Sequence, residues 1–327
     1  MIAALLGRHF WIPAYLALAL GLWLPGGEFA WAKAVVPFSL GGILFFTCLR
    51  IPLAEVAGGL KDGPLLIRTG WMAGLKLIAI PAFTWGVTWF IAPAWAPGIA
   101  LVSMMPAGLS SVALTDLHRG DRVQALFLIL ATSLLAPLTI PLAMSAVLIG
   151  QASHGQTGFA PVMPTPAQMA GQTVYILMLL AIPFCSAQCL RQIAPKLIAR
   201  GMSWWGRLSI LSLIVMVLLC GLGNRAAWND WSPVRMLIPL ALTCLATGIS
   251  LGLALGLRRW LPGSTVTAFA CAALYMNNGL AIAYATKFHP SQAEIILPCV
   301  LMQVPMVAAV VLWGRWTKAE PMAPVSA

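Results

Sequence analysis

Acidic side chains are scarce in this chain. Asp and Glu supply eight of 327 residues, and none lies near the middle of a long apolar run. Charge of either sign is sparse: Asp, Glu, Lys and Arg together make 8% of the chain, against about a quarter in a soluble domain. With 61% of residues hydrophobic, there is too little polar surface to cover a water-soluble fold. Histidine is also rare. His9, His118, His154 and His289 fall at span ends or in loops, so no Ser/His/Asp set or metal cluster stands at membrane depth and an enzyme is not expected. The seven cysteines all fall inside apolar segments. Such cysteines act as small hydrophobes, which argues against a disulfide framework or a metal site. Cys185 and Cys189 stand one helical turn apart, but no neighbouring His or carboxylate completes a ligand set.

What the chain has instead is long apolar runs, read as an all-α polytopic membrane protein of ten transmembrane helices. The spans are expected near 9–25, 34–54, 69–92, 95–118, 122–149, 167–190, 203–223, 234–257, 263–287 and 291–314. Pro and Gly punctuate their ends, as in Leu24-Pro25-Gly26-Gly27 and Leu261-Pro262-Gly263. The first span follows Arg8 and shows no small-residue cleavage site, so it is expected to be retained. The longest polar stretch, 150–166, divides the chain into five-helix repeats at 1–149 and 167–327.

The net charge of +11 does not point to nucleic acid, because the basic residues sit in short loops between apolar runs. Their distribution orients the chain. With the N-terminus inside, fourteen Lys and Arg, among them Arg50, Arg119, Arg122, Arg258 and Arg259, face the cytoplasm; Lys33, Arg225, Arg235 and Lys287 face outward. Both termini are then cytoplasmic, and the expected location is the plasma membrane, the inner membrane in a bacterium. Trp31, Trp228, Trp231 and Trp316 read as interfacial belt residues.

Five spans per half make the halves antiparallel, the arrangement of inverted-repeat transporters. Gly108-Leu109, Thr115 and His118 recur as Gly279-Leu280, Thr286 and His289 at a constant offset of 171. Spans 4 and 9 each carry a helix-breaking polar patch: Met105-Pro106-Ala107-Gly108-Leu109-Ser110-Ser111 and Tyr275-Met276-Asn277-Asn278-Gly279. Pro106 lacks a backbone donor, while Gly and Asn tolerate unwound backbone. Non-helical backbone survives at membrane depth only when buried in protein or lining a cavity. One reading is a proline kink with a polar helix–helix contact. The other, favoured by the matching positions in two inverted halves, is a binding site at crossing broken helices, formed by Pro106, Gly108, Ser110, Asn277, Asn278 and Gly279.

Lys76 is the one cation inside an apolar run, in Trp71-Met72-Ala73-Gly74-Leu75-Lys76-Leu77-Ile78-Ala79-Ile80-Pro81. A charge at this depth costs roughly 2.5–3.5 kcal/mol even on insertion scales. Lys76 lies eight residues from Arg68, about 12 Å along a helix, so its long side chain has an alternative in snorkelling toward the interface.

At these motifs the chain resembles the bile acid:sodium symporter family. Pro106-Ala107-Gly108-Leu109-Ser110-Ser111, with Thr115 and Leu117-His118-Arg119-Gly120 after it, looks like the family's P-G-G-x-x-S-N…T-x-L-x-R-G-N segment. Thr132-Ser133-Leu134-Leu135-Ala136-Pro137 looks like its S-T-L-L-x-P motif, and Asn277-Asn278-Gly279-Leu280-Ala281 like the end of its E-x-G-M-Q-N-S-G-L-A motif. The resemblance implies a core domain from spans 3–5 and 8–10, a panel domain from spans 1, 2, 6 and 7, and substrate bound between them.

It also implies two sodium sites, and there the pattern fails. Ser111, Thr132 and Ser133 keep hydroxyls suited to a hard cation. The family's Asn after the span-4 Ser is Val112, its span-9 Glu is Ala272, its span-9 Gln is Met276, and its span-3 Gln is Lys76. Sodium is therefore expected to be absent or weakly bound, with Lys76 as a built-in cation whose N–H donors reach carbonyls of unwound span 9 and the hydroxyl of Thr132 or Ser133. Lysine is suited to proton exchange, so proton coupling, an uncoupled carrier and residual sodium coupling all stay open. The expected substrate is a small organic anion or amphipathic acid. A membrane sensor that binds without transporting is the second class.

Overall fold

The computed structural model describes residues 11–23, 29–51, 57–153, 165–223, 233–290 and 292–318. Most of the connection expected over 150–166 lies outside them, as do His9, His154, Trp228 and Trp231. The described residues form an all-helical protein. Its helices are α1 (Trp11–Trp23), α2 (Ala30–Cys48), α3 (Gly63–Ile91), α4 (Ala96–Ser103), α5 (Ser111–Leu117), α6 (Arg122–Ser153) and α7 (Pro166–Ile193). After them come α8 (Pro195–Arg200), α9 (Met202–Gly223), α10 (Pro233–Leu257), α11 (Gly263–Leu274), α12 (Asn278–Phe288), α13 (Ala293–Leu301) and α14 (Gln303–Lys318). Among the described residues six stretches are long and apolar enough to cross a bilayer: Gly63–Ile91, Arg122–Gln151, Pro166–Ile193, Trp204–Gly223, Met236–Leu257 and Ala293–Trp316.

The outer surface carries large apolar side chains that water would not tolerate in such density. Phe90 is 88% exposed, and Phe38, Leu134, Ile67 and Trp260 are similarly bare. A hydrocarbon surround removes that cost, and it makes the chain a multi-pass integral membrane protein. Cys185, Cys189 and Cys244 belong to this outer face, while Cys48, Cys220, Cys271 and Cys299 are buried.

Inside, hydroxyls are satisfied locally, as apolar surroundings require. Thr69, Thr84, Thr88, Thr115, Thr132 and Thr247 each donate to a carbonyl one turn back. Helix ends are closed with similar economy. The Asp62 carboxylate accepts from Leu65 N–H at 3.1 Å and starts α3, with Pro64 in the first turn. Gln188 Nε2 donates to the carbonyls of Cys48 and Ile51, and Arg191 to that of Leu49, which closes the end of α2.

Helices α1, α2, α7 and α9 pack on one another, and α3–α6 and α10–α14 assemble around the breaks of spans 4 and 9. Gln124 Nε2 donates to Thr69 Oγ1 at 2.8 Å and joins α6 to α3. Thr47 and Ser209 hydroxyls meet at 2.8 Å between α2 and α9. A close backbone approach joins α1 to α9. A Cβ placed on Gly221 would stand 2.6 Å from both Cα and the carbonyl carbon of Gly21. Close backbones of this kind are how helices associate where lipid removes the hydrophobic drive. Gly221→Leu is expected to lower stability by about 1–3 kcal/mol through overpacking. Thermal unfolding in detergent reads this, and an unchanged melting temperature would show that α1 and α9 part without cost.

Three helix boundaries depart from the expected spans. Span 2 ends at Cys48 rather than 54, and α3 starts at Gly63 because Asp62 caps it there rather than near 69. Span 10 is interrupted at Met302 between α13 and α14. Pro305 lies just beyond and has no N–H to offer the carbonyl of Leu301, one turn back.

Candidate functional site: the crossing of two broken helices

Residues 104–110 separate α4 from α5, and 275–277 separate α11 from α12. The two breaks lie against each other. Ala107 and Met276 form an isolated antiparallel bridge. Gly108 N–H donates to the Tyr275 carbonyl at 2.7 Å, and Asn277 N–H to the Pro106 carbonyl at 2.8 Å. Each break thus satisfies backbone groups of the other, which is how unwound chain persists away from water. Gly108 is required by proximity: a Cβ there would stand 2.8 Å from Tyr275 O. Thr132 completes the junction from α6. Its Oγ1 accepts from Ala107 N–H at 3.1 Å and donates to Leu128 O at 2.7 Å. The Asn277 side chain accepts from Leu280 N–H at 3.2 Å and caps α12.

Lys76 meets this junction from α3. It is 1% exposed, and Nζ donates to the Ser103 carbonyl at 2.8 Å. Ser103 is the last residue of α4, so the lysine nitrogen caps the C-terminal, partly negative end of a half-helix. Local backbone helps to aim it. Residues Leu75–Ala79 form a π turn in which Ile80 N–H reaches back five residues to Leu75. Pro81 explains the turn, because it has no N–H for the Leu77 carbonyl and its ring would clash there in an α-helix. The side chain is sealed inside the protein, so snorkelling is not what this conformation shows.

The partner differs from the expected one. Lys76 bonds to the end of α4, not to span 9, and the Thr132 hydroxyl is committed to Leu128 and Ala107. Lys76 and Thr132 thereby grip the same break at two points, Ser103 and Ala107. Ser133 is half-buried beside Thr132. Ala272 and Met276 are buried in the main apolar core, and Val112 packs against it. Three positions where the resemblance places sodium ligands thus hold apolar side chains in apolar surroundings.

The two breaks pair part of each other's backbone, and several buried side chains around them have no hydrogen-bond partner. Ser103 Oγ, Ser111 Oγ and both amide atoms of Asn278 and of Gln303 are buried without a hydrogen bond. Asn278 and Gln303, but not Ser103 or Ser111, line a cavity of about 40 Å³ between Gly108, Ser110, Asn277 and Gly279 on one side and Ile43, Leu44, Ser209 and Ile210 of α2 and α9 on the other. Pro106 is buried behind it and holds the Asn277 N–H. Ser103 and Gln303 were not among the residues singled out from the sequence. Gln303 had a signal in Gln303-Val304-Pro305, whereas Ser103 acts through its carbonyl, which any residue carries.

Among the described residues, then, a lipid-facing helical protein has two broken helices paired beside a small, mostly apolar cavity with a few polar side chains. The model of the Sodium Bile acid symporter family matches residues 37–227, more than half of the chain, and the chain belongs to that family. The matched part contains Lys76, the first break and Thr132; the second break lies beyond it. No curated protein matches the chain. Family membership makes it a secondary transporter at the level of class, with a small-molecule substrate and a lipid surround.

Proposed function

We propose that the protein carries a small organic anion or amphipathic acid by alternating access without the two sodium sites, and that Lys76 is the cation that stands in for one of them. The observation that carries this reading is the Lys76 side chain, 1% exposed with its Nζ 2.8 Å from the carbonyl that ends α4. A fixed positive charge beside the crossing supplies what a bound cation would supply. At an effective dielectric near 20 and about 4 Å, it repels an added cation by about 4 kcal/mol. That weakens sodium binding by a factor on the order of 10³.

The architecture in this reading has ten spans in two inverted five-helix repeats, 1–149 and 167–327. Spans 3–5 and 8–10 are the moving core, and spans 1, 2, 6 and 7 the panel. The packing of α9 on α1 and α2, and of α7 on α2, supports that division. The excess of Lys and Arg in alternate loops supports cytoplasmic termini, and in this reading the membrane is the plasma membrane, the inner membrane in a bacterium. Substrate enters between core and panel, where the cavity lies.

A second reading keeps one weak sodium site, favoured by the unpaired Ser111 hydroxyl. Uptake into proteoliposomes separates the two. The probes are taurocholate and a set of short monocarboxylates, with and without sodium. The parent protein is expected to be indifferent to sodium. A variant carrying Lys76→Gln, Ala272→Glu, Met276→Gln and Val112→Asn is expected to depend on it. Strong sodium dependence of the parent sinks the surrogate reading. Binding with no flux under any gradient marks a sensor.

A further inference from the structure

The ends of α2, α7 and α9 meet the short helix α8 at one corner of the bundle. Trp205 Nε1 donates to the Ile198 carbonyl at 3.1 Å and pins α8 to α9, and the Trp205 ring stacks on Phe46 of α2. Basic side chains gather at this corner. Arg191 holds the end of α2 through the Leu49 carbonyl. Arg50 lies across α9, with Nη1 3.2 Å from where a Cβ on Gly206 would stand. Lys196 and Arg200 belong to α8 and are exposed. The Arg207 guanidinium covers the Trp204 ring, 5.0 Å from its centroid.

Carboxylates do not offset this charge. Residues 122–229 contain no Asp or Glu, and among the described residues none of these basic side chains is in a salt bridge. Glu55 lies outside the described residues. The connections of α3–α6 differ. They carry Asp62, Asp116 and Asp121 among their basic residues, and Asp116 stands 3.8 Å from Arg122. The unbalanced charge is thus local to one corner. Apolar side chains stand exposed among the charges: Ile193 is 75% exposed, Trp204 60% and Leu197 53%. A small ion from solution leaves these bare. A phospholipid meets both needs, with its phosphate among the cations and its acyl chains over the apolar side chains, and tryptophan suits headgroup depth.

We propose that Arg50, Arg191, Lys196, Arg200 and Arg207 form a binding site for the headgroup of an anionic phospholipid, at the corner where α2, α7, α8 and α9 meet. The planar fork of arginine suits phosphate oxygens. Arg191 spends one N–H on Leu49 and keeps the others for a ligand. In the transport reading α2, α7 and α9 belong to the panel, so the lipid ties the panel to one leaflet while the core moves. The site itself does not depend on that reading.

Thermal-shift titration of the full-length protein in detergent tests this with phosphatidylglycerol, phosphatidylcholine and glycerophosphate, the last a headgroup without chains. Phosphatidylglycerol is expected to raise the melting temperature at concentrations at least about tenfold lower than phosphatidylcholine, with glycerophosphate silent in that range. The variant Lys196→Gln, Arg200→Gln, Arg207→Gln is expected to lose affinity for phosphatidylglycerol by about fivefold per charge, on the order of a hundredfold in all. A matched variant, Lys61→Gln, Arg259→Gln, Arg315→Gln, removes the same charge from exposed positions elsewhere and is expected to keep the parental affinity. Equal response of the parent to both lipids overturns the site. Equal losses in the two variants also overturn it, because net charge alone then explains the binding. Glycerophosphate as potent as the lipid overturns it in favour of a soluble anion. The lipid comparison on the parent needs no variant, so it still decides if a variant misfolds.

Discussion

Lys76→Met is expected to give a protein that unfolds no earlier than the parent and transports at most about one hundredth as fast. The two readouts part because the lysine does two different things. For stability, the variant loses one hydrogen bond to Ser103 O and leaves that carbonyl bare, at a cost of about 1–3 kcal/mol. It also removes a desolvated charge, whose burial costs several kcal/mol, and fills the space with a flexible apolar chain of similar length. The second effect matches or exceeds the first. Melting temperature in detergent is therefore expected to stay level or rise.

For transport, the variant removes the positive end of the site. In the surrogate reading the half-helix α4 then ends in partial negative charge with nothing to balance it, and an anion is no longer drawn to the crossing. Lys76→Gln alone is expected to be equally silent and still indifferent to sodium, because Ala272 supplies no carboxylate for a cation. Uptake into proteoliposomes at matched protein density is the measurement. A Lys76→Met protein that transports at the parental rate would reduce the ammonium to a packing device.

The sequence made Lys76 conspicuous but hid what it holds. A charge within an apolar run is visible in one dimension; a backbone carbonyl as its partner is not, since every residue carries one. The π turn that aims it had a trace in Pro81, although a proline equally well starts a helix or kinks one. The two breaks were readable from Pro106-Ala107-Gly108 and Asn277-Asn278-Gly279, because those residues favour unwound backbone. Their mutual pairing was not, since it joins segments far apart in the chain. That pairing ties Gly108 to Tyr275 and Asn277 to Pro106, and beside it the side-chain amides of Asn278 and Gln303 are buried without a partner. Gln303 escaped attention because the apolar residues around it run long enough to read as one unbroken span.

Gly108→Val is expected to do the reverse of Lys76→Met and to fail at the level of folding. Gly108 N–H and Tyr275 O stand 2.7 Å apart, and the neighbouring bond from Asn277 to Pro106 depends on the same approach. A Cβ at 108 would lie 2.8 Å from Tyr275 O and 3.1 Å from Met276 O. These are rigid backbone atoms and cannot swing aside as a side-chain tip can. The breaks must separate, which leaves buried N–H and C=O groups unpaired at about 1–3 kcal/mol each. Crowding adds about 1–3 kcal/mol more. Together these approach the whole stability of an ordinary domain, about 5–15 kcal/mol. The expected result is little folded protein after detergent extraction, and early unfolding of what remains. Gly248→Ala is the control, because nothing stands within 4 Å of its Cβ position and the change favours helix by about 1 kcal/mol. If Gly108→Val instead folds like the parent and loses only transport, the bridge between Ala107 and Met276 is not what holds the crossing together, and the stability of the two breaks must come from the helices around them.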